Sequence, residues 1–216
     1  MLEIYGHRFS SYTWKALIAL YANGTEHAFR DLDARRPEDL DFLAAEHPES
    51  RFPILVDGDT VVIEATSIVE YLAVNHPGPA PLIPADPADA ATARRLDRVF
   101  DNYVMNTATR VVYAYIKGNG TPDEVEVGGA KQALLKTYRW LERWLAAHTL
   151  PPHVSLVTCA AAPSLFYADW IEPIPDDCPR LAALRAELLA LEPVMRCVED
   201  ARPFRHYFPP GAPDRD

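Results

Sequence analysis

The chain has 216 residues, 49% hydrophobic and 24% charged, with four tryptophans, a balance that excludes disordered and collagen-like classes. A chain of this length is expected to bury about 70% of its unfolded surface, which leaves room for one large core or two small ones. Its 21 Lys and Arg against 31 Asp and Glu give a formal charge of -10, which repels phosphate backbones and anionic lipid, so neither nucleic acid nor a membrane surface is an expected partner.

Residues 2–5 alternate as a strand does, GHRFSS supplies a turn, and Tyr12 to Asn23 carries a helical pattern that Gly24 ends. Ala28 to Leu32 is predicted as a strand and Arg36 to Glu46 as a helix, with Glu38 and Asp39 early in it and a break at His47-Pro48. Phe52 to Val56 and Val61 to Ile63 flank Asp57-Gly58, the signature of a hairpin. Thr66 to Asn75 then shows a helical stripe at Ile68, Val69, Leu72 and Ala73. The order β-α-β-α-β-β-α implies a small mixed sheet covered by helices over residues 1–76.

Five prolines and a glycine crowd residues 77–87, too stiff for a helix or a central strand, and this segment is predicted as a linker. Residues 88–216 carry only helical patterns: Ala88 to Lys117, Glu124 to Ala147, Ser155 to Ile171, Arg180 to Leu191 and Pro193 to Asp200. The tail after Arg202 reads as irregular with a frayed end. Cys159, Cys178 and Cys197 lack any C-x-x-C spacing, so neither a disulfide framework nor a metal site is expected. Cys159 and Cys197 fall on apolar stripes and read as small buried hydrophobes, and Trp140, Leu141 and Trp144 as packing. The first residues offer no apolar run long enough for a signal or a membrane span, and the expected location is the cytoplasm.

An α/β unit with Pro53 before an antiparallel hairpin, a Pro-rich linker and a helical second half together resemble the cytosolic glutathione transferase family. The matching pieces are Tyr5-x4-Ser10-x4-Lys15, Phe52-Pro53-Ile-Leu before Asp57-Gly58, Glu64 to Leu72, and Ser155-Leu-Val-Thr158 opening an apolar helix. The run SSYTWKALIAL is similar to the serine-type first loop of zeta-class enzymes, with Tyr12 where that class usually has Cys. The resemblance implies a thioredoxin-like N-terminal domain followed by an all-α C-terminal domain. It also implies glutathione as co-substrate, a role in detoxification and a homodimer.

Such an enzyme must hold a thiol as thiolate near neutral pH, which requires roughly 2.7 kcal/mol for a shift of about two pKa units. A hydroxyl donated to sulfur supplies on the order of 1.5–3 kcal/mol, and the positive end of the following helix adds up to about 1. By family position Ser10 is the first candidate donor, Ser11 the second and Tyr12 the third. The competing reading of Ser10 or Ser11 is an ordinary helix cap. His7 reads as a solvent-exposed loop residue, and Tyr5 as the end of a strand.

The resemblance further implies a cis bond before Pro53, with Phe52 offering its backbone to the tripeptide and Arg51 pairing with the glycyl carboxylate. Glu64 is carried over as the partner of the γ-glutamyl ammonium, with the amides that begin the next helix holding the α-carboxylate. Two positions depart from the family pattern. Ala65 replaces the usual Ser, a loss of about 1–3 kcal/mol in ligand binding, and Thr158 replaces an acidic capping residue and is expected to cap only feebly. Phe100, Tyr103, Asn106, Arg110 and Tyr113 recur at helical spacing, and Tyr12, Asn106 and Arg110 are the expected liners of a pocket for a small hydrophobic electrophile. The alternative to an enzyme is a non-catalytic binding or scaffolding protein that keeps the fold but only a weakened glutathione site.

Overall fold

The computed structural model of the chain describes residues 1–32 and 36–216. Four strands form one mixed sheet: β1 (Leu2–Gly6), β2 (His27–Asp31), β3 (Ile54–Asp57) and β4 (Thr60–Ile63), in the order β2-β1-β3-β4. The β1–β2 pair is parallel and the other two are antiparallel, with Ile4 opposite Phe29 on one side and Leu55 on the other. The parallel pair needs a crossover, which α1 (Ser11–Asn23) provides. The alternation in β1 sorts its side chains. Leu2, Ile4 and Gly6 are buried, while Tyr5 projects to the other face and packs its ring 4.3 Å from Phe42 of α2 (Pro37–Glu46).

The expected N-terminal elements all form, with ends shifted by one or two residues. Gly24 adopts a left-handed φ of 66° and returns its amide to Leu20 and Tyr21, stopping α1 as a C-terminal glycine should. Helix α3 (Ala65–Asn75) packs beside α1. The peptide before Pro53 is cis, and Pro53 is buried just ahead of β3.

Residues 77–86 hold no helix or strand, although Leu82 is buried and its carbonyl receives the amide of Leu156. Eight helical segments follow: α4 (Pro87–Val99), a π-helical turn (Phe100–Met105), α5 (Asn106–Lys117), α6 (Glu124–Leu145), α7 (Leu156–Ile171), α8 (Pro179–Leu189), α9 (Glu192–Ala201) and a 3-10 helix (Arg202–Tyr207). The single long helix predicted over 88–117 is thus interrupted by a π-helical turn, which periodicity does not reveal because the apolar spacing barely changes across it. Helix α7 is buried along its whole length and contacts α1, which explains why its sequence is apolar all round.

One open question is answered and two expectations are corrected. Of the one or two cores that the chain length allowed, the apolar core is a single one, continuous from Leu2 to Phe208. The C-terminal tail is ordered against the body: a 3-10 helix spans Arg202–Tyr207, Phe208 is buried, and Arg215 pairs with Asp169. Thr158 Oγ1 does accept the Ser155 amide at 3.2 Å, so a hydroxyl completes the cap in place of a carboxylate. All three cysteines are buried and unpaired, as are Leu141 and part of Trp144, whereas Trp140 is 38% exposed.

Candidate functional site

The loop between β1 and α1 is pinned at successive residues. The Ser10 amide donates to the His7 carbonyl, the Trp14 indole donates to Arg8 O at 2.7 Å, and the Tyr167 hydroxyl of α7 donates to Phe9 O at 3.0 Å. These bonds set the backbone that presents Ser10. Ser10 is the N-cap of α1, and its Oγ accepts the amide of Thr13 at 3.3 Å. That bond uses a lone pair and leaves the hydroxyl proton available, and among the described residues no acceptor takes it. Capping and donation to a ligand, set apart as rival readings of the sequence, are therefore compatible on one hydroxyl.

Ser10, Ser11 and Tyr12 line a cleft of about 1000 Å³ whose far side carries Arg51 and Phe52. Its other wall is built by Met105, Asn106 and Arg110, next to the π-helical turn, and by the aromatic residues Phe9, Tyr167, Tyr207 and Phe208. Seven of the ten sequence-predicted site residues thus meet around one space. The remaining three, Pro53, Glu64 and Ala65, are not among its lining residues. Pro53 and Ala65 are buried, and Glu64 stands exposed at the head of α3.

Tyr12 donates its hydroxyl to Asn106 Oδ1 at 2.8 Å, so its proton is already committed. Burial pushes the Tyr12 phenol well above its ordinary range, and the nearby charge of Asp101 adds to the effect. The charges of Arg98, Glu64 and Arg51 also act on this phenol, which places the head of α3 and the cleft in one electrostatic neighbourhood. Arg51 pairs with Glu49 at 2.5 Å, with both side chains about two-thirds exposed, a contact weak enough to exchange for a ligand carboxylate. Arg110 pairs with Glu126 at 2.8 Å. Of the helical stripe, Phe100 is core, Tyr103 is exposed, and Tyr113 joins Asn106 and Arg110 in the cleft wall.

Glu64 has φ 69° and ψ 118°, a backbone conformation that costs a non-glycine residue on the order of 1–3 kcal/mol. Its side chain makes no bond to the helix amides, it is 68% exposed, and His47 Nε2 lies 3.6 Å away. The first-turn amides of α3 are thus left without a capping side chain, beside a carboxylate facing outward. Thr66 turns its hydroxyl away from that turn, into a buried cluster that sequence reading missed. Lys15 Nζ lies 2.5 Å from Asp97 Oδ1, 2.7 Å from Asp101 Oδ2 and 2.8 Å from Thr66 Oγ1. Arg98 closes the cluster on both aspartates. Lys15 is 1% exposed, and the one signal for it was its place in the first-loop motif.

His7 is corrected from exposed to half-buried. Its ring packs 4.9 Å from Phe204, and its Nδ1 accepts the Phe9 amide, which fixes the neutral tautomer with the proton on Nε2. Burial holds its pKa below the usual histidine value. Among the described residues no group of three or more His, Cys, Asp or Glu is placed to hold a metal ion, and no helix is long and apolar enough to cross a membrane.

Comparison with known proteins bears on the sequence and the fold. Residues 4–80 match the family model of the glutathione S-transferase N-terminal domain. Glutathione S-transferase 1 of Dianthus caryophyllus is 28% identical over 149 residues, 68% of this chain and 66% of that protein. A probable maleylacetoacetate isomerase of Caenorhabditis elegans is 31% identical over 93 residues, 43% of each chain. The chain thus spans less than two thirds of the length of these two relatives. A crystal structure of maleylacetoacetate isomerase from Methylobacterium extorquens AM1, with bound malonate and glutathione, superposes with a TM-score of 0.75 at 26% identity, covering 93% of this chain and 97% of that one. The thioredoxin-like sheet, the helical second half and the match of residues 4–80 make this chain similar to glutathione transferases in sequence and in fold.

Proposed function

We propose that the chain is a glutathione transferase in which Ser10 stabilises the ionised thiol of glutathione for attack on a small hydrophobic electrophile. The observation that carries this reading is the Ser10 hydroxyl: its lone pair caps α1, its proton is unclaimed, and it lines the large cleft. The donor hydroxyl and the positive end of α1 act at one place, and together they reach the roughly 2.7 kcal/mol that the ionisation requires. Arg51 is assigned to the glycyl carboxylate, and Phe52 to the peptide backbone beside Pro53. Glu64 and the first amides of α3 are assigned to the γ-glutamyl end, where Ala65 offers its N–H but no hydroxyl.

Residues 1–76 form the glutathione-binding unit in this proposal, and residues 88–216 supply the Asn106 and Arg110 side of the electrophile pocket. The names of the two relatives given above support thiol chemistry rather than a scaffold: one is a glutathione S-transferase and the other a probable maleylacetoacetate isomerase. The test is conjugation of glutathione to a generic aryl-halide electrophile, monitored with calorimetric titration of glutathione. Saturable binding with turnover well above the uncatalysed rate is expected. No binding at millimolar glutathione would remove the proposal.

A further inference from the structure

His47 is 6% exposed and sits where the loop that carries Arg51 and Phe52 leaves α2 and meets the head of α3. Its backbone closes one side of this junction. The His47 amide donates to Leu43 O at 2.9 Å, ending α2, and its carbonyl accepts the Ser50 amide at 2.9 Å. Its ring reaches both ways. Nδ1 accepts the Glu49 amide at 3.1 Å, which leaves a ring proton on Nε2, and Nε2 lies 3.6 Å from Glu64 Oε1. Among the described residues no Lys or Arg lies within 4 Å of the Glu64 carboxylate. Ser50 at φ 52° and Glu64 at φ 69° are two of the three non-glycine residues with positive φ among the described residues, and His47 reaches both. Such backbone persists where the surroundings over-determine it, and here one buried residue contributes on both sides.

We infer that His47 is a positioning residue for the amino group of the tripeptide, an inference that rests on the glutathione reading proposed above. A glutamate side chain that is 68% exposed loses rotamer freedom when it pairs with an ammonium, and the Nε2–H held beside it takes part of that loss before the ligand arrives. At 3.6 Å the contact is longer than a hydrogen bond, so it orients the carboxylate and leaves its lone pairs to the ligand's N–H groups. The same ring holds the Glu49 amide, so the acid at one end of the peptide and the loop leading to Arg51 at the other keep a fixed spacing. His47 thereby favours a thiol peptide with a free amino group on its glutamyl unit over one without.

The test compares the calorimetric affinities of the full chain for glutathione and for glutaryl-cysteinyl-glycine, the same tripeptide without the amino group. In H47N the short amide takes the place of Nδ1 and keeps a bond to the Glu49 amide, but nothing reaches Glu64. Its melting temperature should change little, while its affinity for glutathione falls about three- to tenfold and its affinity for the deaminated peptide stays as it was. In H47Q the longer amide takes the place of Nε2, so the preference for glutathione should largely return although the chain melts lower. Equal losses for both peptides in H47N, a preference in H47N as large as in the unaltered chain, or an H47Q chain without the preference would overturn the inference and leave the role of Ser10 standing. Failure of the unaltered chain to bind either peptide at millimolar concentration would remove the glutathione reading and this inference together.

Discussion

The Ser10 hydroxyl serves the fold as an acceptor and the proposed chemistry as a donor, and two substitutions separate these duties. Ser10→Gly keeps most of the capping preference, so its stability should fall by only a few tenths of a kcal/mol while kcat/KM drops roughly 10- to 100-fold. Ser10→Ala should lose both, with about 0.5–2 kcal/mol of stability gone in urea unfolding. Tyr12→Phe removes a hydroxyl whose proton is already donated to Asn106, so kcat/KM should change less than about threefold. A larger loss for Tyr12→Phe than for Ser10→Gly would reverse the assignment. At the head of α3, Ala65→Ser restores a hydroxyl, and calorimetry should show glutathione affinity rising about five- to a hundredfold. An unchanged affinity would mean that the γ-glutamyl end does not rest there.

Among the elements, β1 and α1 meet closely enough that a Cβ at Gly6 would lie 2.7 Å from the Thr13 side chain, so this turn sets the position of the whole first loop. The π-helical turn brings Asp101 to Lys15 and leads directly into Asn106 at the cleft. Lys15→Met leaves two buried aspartates with Arg98 as their remaining cation, and should cost about 3–5 kcal/mol in denaturant unfolding. His7 makes the first loop sensitive to pH. Its folded pKa lies below the value of 6.5, so its contribution is complete above 6.5 and is lost as pH falls through that value toward the folded pKa. Thermal melts from pH 7.5 down to 5 should therefore fall more steeply for the unaltered chain than for His7→Gln. The strand, hairpin and helix patterns of these elements were legible because alternation and turn residues are local signals. The His7 packing and the Lys15 cluster were not, since each depends on partners roughly 50 to 200 positions away in sequence.

For the molecule as a whole, the buried ion cluster and one continuous core join the sheet unit to the helices, so the cleft is framed by both halves of the chain. The order of elements along the sequence was enough to expect this architecture. The tail was misread because Phe208 is buried against Phe9 and α7 and Arg215 finds its partner on α7, contacts that composition cannot show. The same limit hid Tyr167 and Tyr207, both now part of the cleft wall. What the assembled molecule is proposed to achieve is a lowered thiol pKa in bound glutathione. Thiolate absorbance of the binary complex, titrated from pH 5 to 10, tests this most directly. The unaltered protein should ionise the thiol near pH 6.5, about two units below an ordinary thiol, and Ser10→Gly should return it toward about 8.5. A bound thiol that titrates at its ordinary pKa in the unaltered protein, or one that titrates identically in the variant, would contradict the account.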